Sequence, residues 1–493
     1  MIEYVSTRGA CAVTSAQAIV RGIAPDGGLY VPTSLPRFSM EEIRSLTPLS
    51  YPERAGRVLA ALLPDFSAEE LTRMAMEAYA RFETESPAPL RKLKNGVRVL
   101  ELFHGPTMAF KDMALQMLPR LMRAASVKTG ETREIAILTA TSGDTGKAAL
   151  EGFADAPGTS VTVFYPLGGV SRIQERQMVT SRGRNTHVIA VRGNFDDAQT
   201  GVKRLFADEA FNRAMHDSGR VLSSANSINL GRLAPQVAYY FSACADLLGE
   251  GLIDENHPLN VCVPTGNFGN ILACWYAKRM GAPIGRLICA SNANDVLTQF
   301  LSTGVYDRRR TFKKTISPSM DILISSNLER LLYEIGGAEK VRGWMRSLSE
   351  EGVFALDEAD FAAIHAHFLC GACDDEGTRE EIAAVWREDG YVLDPHTAVA
   401  SHVLRAVADR SQPSLLVSTA SPFKFGPDVC AALGIACDPE DAFDAADKLR
   451  AATGLAVPEP LSALRDLPVR HERVCDREDM GEAVLLDLKE NKK

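Results

Sequence analysis

Between Met40 and about Glu85 the apolar residues recur at helical spacing. The clearest amphipathic stretches are 51–63 and 68–82, each opening after a polar or proline-marked turn. The proline-containing SPAPLRKL (86–93) breaks the pattern and closes an N-terminal, mostly helical domain placed at residues 1–92. Beyond it the periodicity changes. Short apolar runs at 135–138, 161–165, 188–191, 261–263, 287–290 and 415–417 each lead into a polar or glycine-rich turn and then a helical pattern. Alternation of this kind predicts an α/β protein with parallel sheets covered on both faces. Ligands of such sheets sit beyond the carboxyl ends of the strands, so the turns after these runs are where chemistry is sought.

Composition narrows the class. A chain of 493 residues predicts two or three domains. The formal charge of −9 and the lack of a long basic run argue against nucleic acid or acidic membrane as partner and favour a small metabolite. The N-terminus shows no targeting pattern and no stretch of about twenty apolar residues follows, which predicts a cytoplasmic protein. Ten cysteines scattered among apolar residues are expected to be reduced thiols.

Four turns carry candidate chemistry. In VCVPTGNFGNILACWYAKRM (261–280) a strand ends at Pro264, TGNFGN supplies two glycines, and a helix follows. Glycines let backbone wrap an anion and a helix N-terminus offers unpaired N–H groups, although an ordinary strand-to-helix turn also uses glycine. The spacing is not that of a dinucleotide fingerprint. IAILTATSGDTGKAALEGFA (135–154) repeats the design; GDTGK lacks both the P-loop spacing and its hydroxyl residue after lysine. Ser142, Asp144 and Thr145 there either cap a helix or face a ligand. SSANSINLGRLAPQ (223–236) aligns Asn226, Ser227, Asn229 and Arg232, groups suited to phosphate or carboxylate oxygens or to a solvated helix start. LLVSTASPFKF (415–425) runs a strand into Ser418, Thr419 and Ser421, hydroxyls that satisfy turn backbone or bind a heterocycle.

A lysine in an unusual place gives these turns a common purpose. In FHGPTMAFKDMALQ (103–116), Lys111 lies among Met108, Ala109, Phe110, Met113, Ala114 and Leu115. An ammonium near the apolar interior loses hydration, so its pKa falls and it becomes an amine nucleophile; the competing reading is a lysine whose stem packs while its head reaches water. Lysine, anion-binding turn and ring-facing hydroxyl together suggest pyridoxal phosphate (PLP). HAHFLCGAC (365–373) reads as one helix followed by an acidic turn, and no metal site is assigned to it. His396, in the first turn of a helix opened by Asp394-Pro395, is read as structural, at most supporting a site residue from behind.

FHGPTMAFKDMALQ, TSGDTG, SANSINLGRLAPQ, PTGNFGN, DPHTAVA (394–400) and STASPFKF occur in the order found in the threonine synthases of the fold-type-II PLP enzymes, and STRG (6–9) and APDGGLYVP (24–32) are similar to that family's opening. The resemblance spans residues 4 to about 430. It implies a tryptophan synthase β-like fold with two doubly wound parallel-sheet domains and an added N-terminal helical domain. The large PLP-binding domain is placed at 93–134 and 235–465, the small domain inserted at 135–234, and 466–493 as a C-terminal tail with a solvated, frayed end at 487–493. By the same resemblance Lys111 forms the Schiff base, Gly266, Asn267, Phe268, Gly269 and Asn270 cup the cofactor phosphate, and Thr419 faces the pyridine nitrogen. Ser142, Thr145, Ser227, Asn229 and Arg232 fall where the family contacts substrate. Ser421 and Phe423 depart from the histidine and alanine often found there, which bears on substrate positioning. The implied reaction converts O-phospho-L-homoserine and water to L-threonine and phosphate, by a monomer or homodimer. The alternatives are a related lyase acting on O-phosphoserine or threonine, and an inactive PLP-binding homologue.

Overall fold

The computed structural model describes residues 2–141, 143–409 and 411–490. Two parallel sheets organise it. The larger has six strands in the order Phe368–Ala372, Ile284–Ser291, Leu259–Pro264, Ser414–Ser418, Arg98–Glu101 and Leu90–Lys92. Every neighbouring pair is parallel except the last, where Leu90 to Lys92 run antiparallel to Arg98 to Leu100 at the sheet edge. The smaller sheet is parallel throughout, ordered Arg473–Cys475, Thr186–Val191, Thr159–Pro166, Glu134–Ala140 and Arg220–Ser223. Leu259–Pro264, Thr159–Pro166 and Thr186–Val191 are buried at every position, as strands covered on both faces must be. Their near-continuous apolar runs are the reason they were visible in the sequence.

The N-terminal region packs its helix Tyr51–Leu62 against Ala68–Tyr79 on one side and Leu230–Gly249 on another, the latter a twenty-residue helix buried along nearly its whole length. Arg54 fastens this contact from inside. Its guanidinium donates to Asp246 Oδ1 at 2.6 Å and to the carbonyls of Leu46 and Thr47 at 2.9 and 2.7 Å. No helix among the described residues is long and apolar enough to cross a membrane.

Two segments differ from the sequence expectation. Helix Glu358–His365 stops short, and Phe368–Ala372 pairs in parallel with Ile284–Ser291 as an edge strand rather than continuing as helix. The region expected to be a tail supplies strand Arg473–Cys475 to the small sheet. Its following helix, Met480–Glu490, buries Met480, Ala483, Val484 and Leu488 against that sheet's apolar face.

One close approach fixes the seat of the candidate site. Helix Asp144–Phe153 crosses the end of the short helix Lys111–Leu115 at Gly152, where an added Cβ would lie 2.1 Å from the Leu115 carbonyl oxygen. Backbone cannot yield as a flexible side chain does. Gly152→Ala is therefore expected to destabilise the fold by roughly 1–3 kcal/mol, read as a lowered urea midpoint with unchanged slope.

Candidate active site

Lys111 is presented by a loop in an uncommon backbone state. Met108 has φ 58°, a left-handed conformation for a non-glycine residue, and such strain persists only where surrounding bonds impose it. Here they do: Phe110 N–H donates to the Thr419 carbonyl at 2.8 Å and Ser421 N–H to the Met108 carbonyl at 3.1 Å, stitching the loop to residues 418–421. From within, buried Asp112 accepts from Thr107 N–H and hydroxyl, both at 2.7 Å. Burial outweighs these two bonds and raises the Asp112 carboxyl to about 6.

The Lys111 ammonium donates to Asp144 Oδ2 at 3.3 Å and to Ser319 Oγ at 3.0 Å. Burial lowers its pKa, Asp144 opposes that, and the charges of Lys424 and Arg232 act with burial. Asp144 opens helix Asp144–Phe153, where the positive end of the helix dipole favours a carboxylate. Its Oδ1 receives Lys424 Nζ at 2.6 Å and Gln174 Nε2 at 3.1 Å, and its Oδ2 also accepts from the Ser319 hydroxyl at 2.9 Å. Burial alone would raise the Asp144 pKa, but the two ammonium groups hold it well below the usual carboxylate range.

The turn TGNFGN lies against the same segment. Phe268 has φ 61°, and helix Gly269–Arg279 begins without a side-chain cap, leaving its first N–H groups open to an anion. A Cβ on Gly266 would stand 2.6 Å from the Ser319 carbonyl oxygen, so Ser319 touches both the turn and Lys111. The turn is held from behind: Ser325 Oγ donates to the Gly266 carbonyl at 2.7 Å, and Asn327 donates to the Asn267 carbonyl through N–H at 3.1 Å and Nδ2 at 3.0 Å. Asn270 accepts from the Tyr239 and Tyr240 hydroxyls, each at 2.6 Å, and its buried Nδ2 has no partner.

The remaining sequence candidates divide. Arg232, 3% exposed, donates to the Ala225 carbonyl at 2.5 Å, and its Nε has no partner. Among the described residues no carboxylate forms an ion pair with it, and burial brings its pKa down to about 10. Ser227 lies beside Gly269, its Cβ 3.9 Å from where a Gly269 Cβ would stand. Thr145 is half-buried in the first turn of Asp144–Phe153. Thr419, 5% exposed, is joined through its backbone to Phe110 and to the Thr397 hydroxyl. Ser142 lies outside the described residues.

Asn229 is not brought to the cleft. It is the N-cap of Leu230–Gly249; Oδ1 accepts from Gly231 N–H at 2.8 Å, and Nδ2 donates to the Ile19 and Ser224 carbonyls at 3.1 Å each. Both of its amide protons are spent on backbone carbonyls, so it has no donor left for a phosphate or carboxylate oxygen.

Several further residues join the site; of these only His396 is weighed in the sequence, as a support from behind. Ser319 and Lys424 contact Asp144 directly. His396 is buried; its Nε2 accepts the Ser319 N–H at 3.1 Å and its Nδ1 pairs with Asp394 Oδ1 at 2.8 Å, which fixes the proton on Nδ1. Arg330, also buried, donates to the Tyr30 carbonyl at 2.9 Å, the Ile228 carbonyl at 2.6 Å and the Asn327 side chain, tying the N-terminal region to the turn's support. Lys424 carried a sequence signal, a lysine between Phe423 and Phe425; Ser319 and Arg330 carried none.

A buried lysine between two parallel α/β sheets, facing an uncapped glycine turn, is the architecture of a PLP enzyme. The family described as "Pyridoxal-phosphate dependent enzyme" matches residues 82–420, and "Threonine synthase N terminus" matches 3–79. Threonine synthase of Pseudomonas aeruginosa is 41% identical over 429 residues, covering 86% of this chain and 89% of its own. Threonine synthase-like 1 of Homo sapiens is 41% identical over 432 residues, 85% of this chain; the chain spans only 58% of that relative's length. The crystal structure of PLP-bound threonine synthase from Brucella melitensis superposes with TM-score 0.87 at 40% identity, and that of threonine synthase from yeast with 0.89 at 32%, each covering 99% of both chains. The chain belongs to the threonine synthase family.

Proposed function

We propose that this chain is a threonine synthase, converting O-phospho-L-homoserine and water to L-threonine and phosphate with PLP as cofactor. The observation that carries the reading is the pairing, in one cleft, of a largely buried Lys111 amine with the buried Arg232 guanidinium, which among the described residues forms no ion pair with a carboxylate. A buried cation without an anion awaits one from the ligand, which favours a phosphorylated substrate over free threonine.

The residues present fit PLP. Lys111 would bind its aldehyde, the open N–H groups of Gly266 to Asn270 together with the unpartnered Asn270 Nδ2 would take its phosphate, and the Thr419 hydroxyl would face its ring nitrogen. When bound, PLP supplies an electrophilic carbon and a conjugated ring that accepts the electron pair left at Cα. The chain's own groups do the rest. Lys111, as a free amine, removes the Cα proton and then a Cβ proton. Arg232, with Ser227 and Thr145 at the rim, neutralises charge building on the phosphate as its bond to Cγ breaks. A proton is returned to Cγ, water adds its hydroxyl at Cβ and its proton is released, and Cα is reprotonated, so no oxidant or reductant is needed. Ser319, held by His396 and bonded to both Lys111 and Asp144, keeps the amine aimed while its proton comes and goes. We place the enzyme in the cytoplasm, as a monomer or homodimer, with domains divided as the sequence suggested except for the packed C-terminal strand and helix.

The test has two parts. Borohydride reduction of the PLP-treated protein, followed by peptide mapping, is expected to leave the pyridoxyl label on Lys111. Incubation with O-phosphohomoserine is expected to release phosphate and threonine in equal amounts. A label elsewhere, or 2-oxobutanoate in place of threonine, would overturn the reading; faster phosphate release from O-phosphoserine would transfer it to the related lyase.

A further inference from the structure

The proposed chemistry needs Lys111 as a neutral amine, yet the residue touches a carboxylate that would ordinarily keep it charged. The arrangement around Asp144 resolves this. Two lysines meet one carboxylate, one on each oxygen: Lys424 on Oδ1 at 2.6 Å, Lys111 on Oδ2 at 3.3 Å. With both amines protonated the buried cluster carries one excess positive charge. Loss of a proton from one of them relieves it.

The contacts are unequal. Lys424 has a fully buried side chain, makes the shorter ion pair, and donates also to the Thr107 carbonyl at 3.0 Å. Lys111 is 11% exposed, its contact is longer, and its second partner is the neutral Ser319 hydroxyl, which spends its own proton on Asp144 Oδ2. The charged groups acting on Lys111 from neighbouring elements are Asp144 of Asp144–Phe153, Lys424 of the 3₁₀ turn Pro422–Phe425 and Arg232 of Leu230–Gly249. His396 of Pro395–Val407 acts on Asp144, and Asp112 lies within reach of Lys424.

We propose that Lys424 is a positioning residue: by occupying Asp144 Oδ1 it takes up the carboxylate's charge. Lys111 on Oδ2 is then held by hydrogen bonds, free of a full ion pair and ready to react as the neutral amine. The inference rests on the reading of Lys111 as the reactive amine. Lys424 itself need touch neither substrate nor cofactor.

The experiment reads the protonation of Lys111 directly, in the full chain freed of cofactor, by competitive labelling with trace acetic anhydride across pH and peptide mass spectrometry. In Lys424→Met, Asp144 belongs to Lys111 alone, and the Lys111 midpoint is expected to rise by about one pH unit or more. Lys424→Arg keeps the charge and is expected to return the midpoint to the wild-type position, a rescue that packing alone would not produce. Asp144→Asn removes the anion and is expected to lower it. A midpoint in folded Lys424→Met that is unchanged or lower, or one that rises equally in Lys424→Arg, would overturn the proposal. Should Lys424→Met fail to fold, Lys424→Gln, which keeps a donor for Asp144 Oδ1 without the charge, takes its place with the same rise expected and an unchanged or lower midpoint overturning the proposal; an unchanged or raised midpoint in Asp144→Asn is equally fatal. These outcomes are separable from the proposed function: wild-type pyridoxyl label on Lys111 with no midpoint shift removes only the role of Lys424, whereas label elsewhere removes the functional reading itself.

Discussion

Lys111→Ala is expected to bind PLP without the visible absorption band of the wild type and to release threonine at least about ten-thousand-fold more slowly. The size follows from the number of tasks placed on one atom. In the proposed reaction Nζ both anchors the cofactor and carries protons from Cα and Cβ, and the neighbouring amine cannot replace it: Lys424 is committed to Asp144 and the Thr107 carbonyl. The fold should tolerate the change, because Ala removes a buried cation and leaves Asp144 with Lys424, Gln174 and Ser319 as partners. Stability near that of wild type, with both band and turnover gone, is the expected combination. Turnover within tenfold of wild type would show that proton transfer resides elsewhere.

How much of this was legible beforehand depends on where the information lay. Parallel strands announced themselves because burial on both faces demands apolar residues throughout, as in Leu259–Pro264. Phe368–Ala372 escaped because FLCGA has no β-branched residue and directly follows a helical pattern; its strand character comes from pairing with Ile284–Ser291, a tertiary fact. Arg473–Cys475 is likewise three residues made into a strand by the sheet edge they meet.

The site shows the same division. Lys111 could be read because an ammonium in an apolar window is costly, and the identical signal stood at Lys424 between two phenylalanines. Asn229 is placed at the substrate by the family resemblance, while its polar run leaves ligand contact and helix start both open, because an amide that caps a buried helix and one that binds substrate have the same spacing in sequence. Ser319 reaches Lys111 from 208 residues away in a segment with no distinguishing pattern. Only the chain's path brings it there.

Arg232→Met separates recognition of the phosphate from the fold. Arg232 is buried with a hydrogen bond to a backbone carbonyl, an unpartnered Nε and, among the described residues, no carboxylate in ion-pair contact; Asp112 acts on it from further off and burial outweighs that, so its charge is a cost to the ligand-free protein. Replacing it by an apolar side chain of similar length is expected to leave thermal stability unchanged or slightly raised. Activity should respond in the opposite sense: a cation aimed at charge that develops on the leaving phosphate is worth roughly 3–4 kcal/mol, so kcat/KM for O-phosphohomoserine should fall by about a hundred- to a thousandfold, chiefly in kcat. Arg232→Lys should lie between, because it restores charge without the planar fork that binds two phosphate oxygens at once. Inorganic phosphate, a competitive inhibitor of the wild type on this view, should lose its hold on Arg232→Met in parallel. A variant that keeps kcat/KM within a few-fold while still binding PLP would mean that the leaving group is stabilised by other donors, and that the empty charge on Arg232 serves the substrate carboxylate instead.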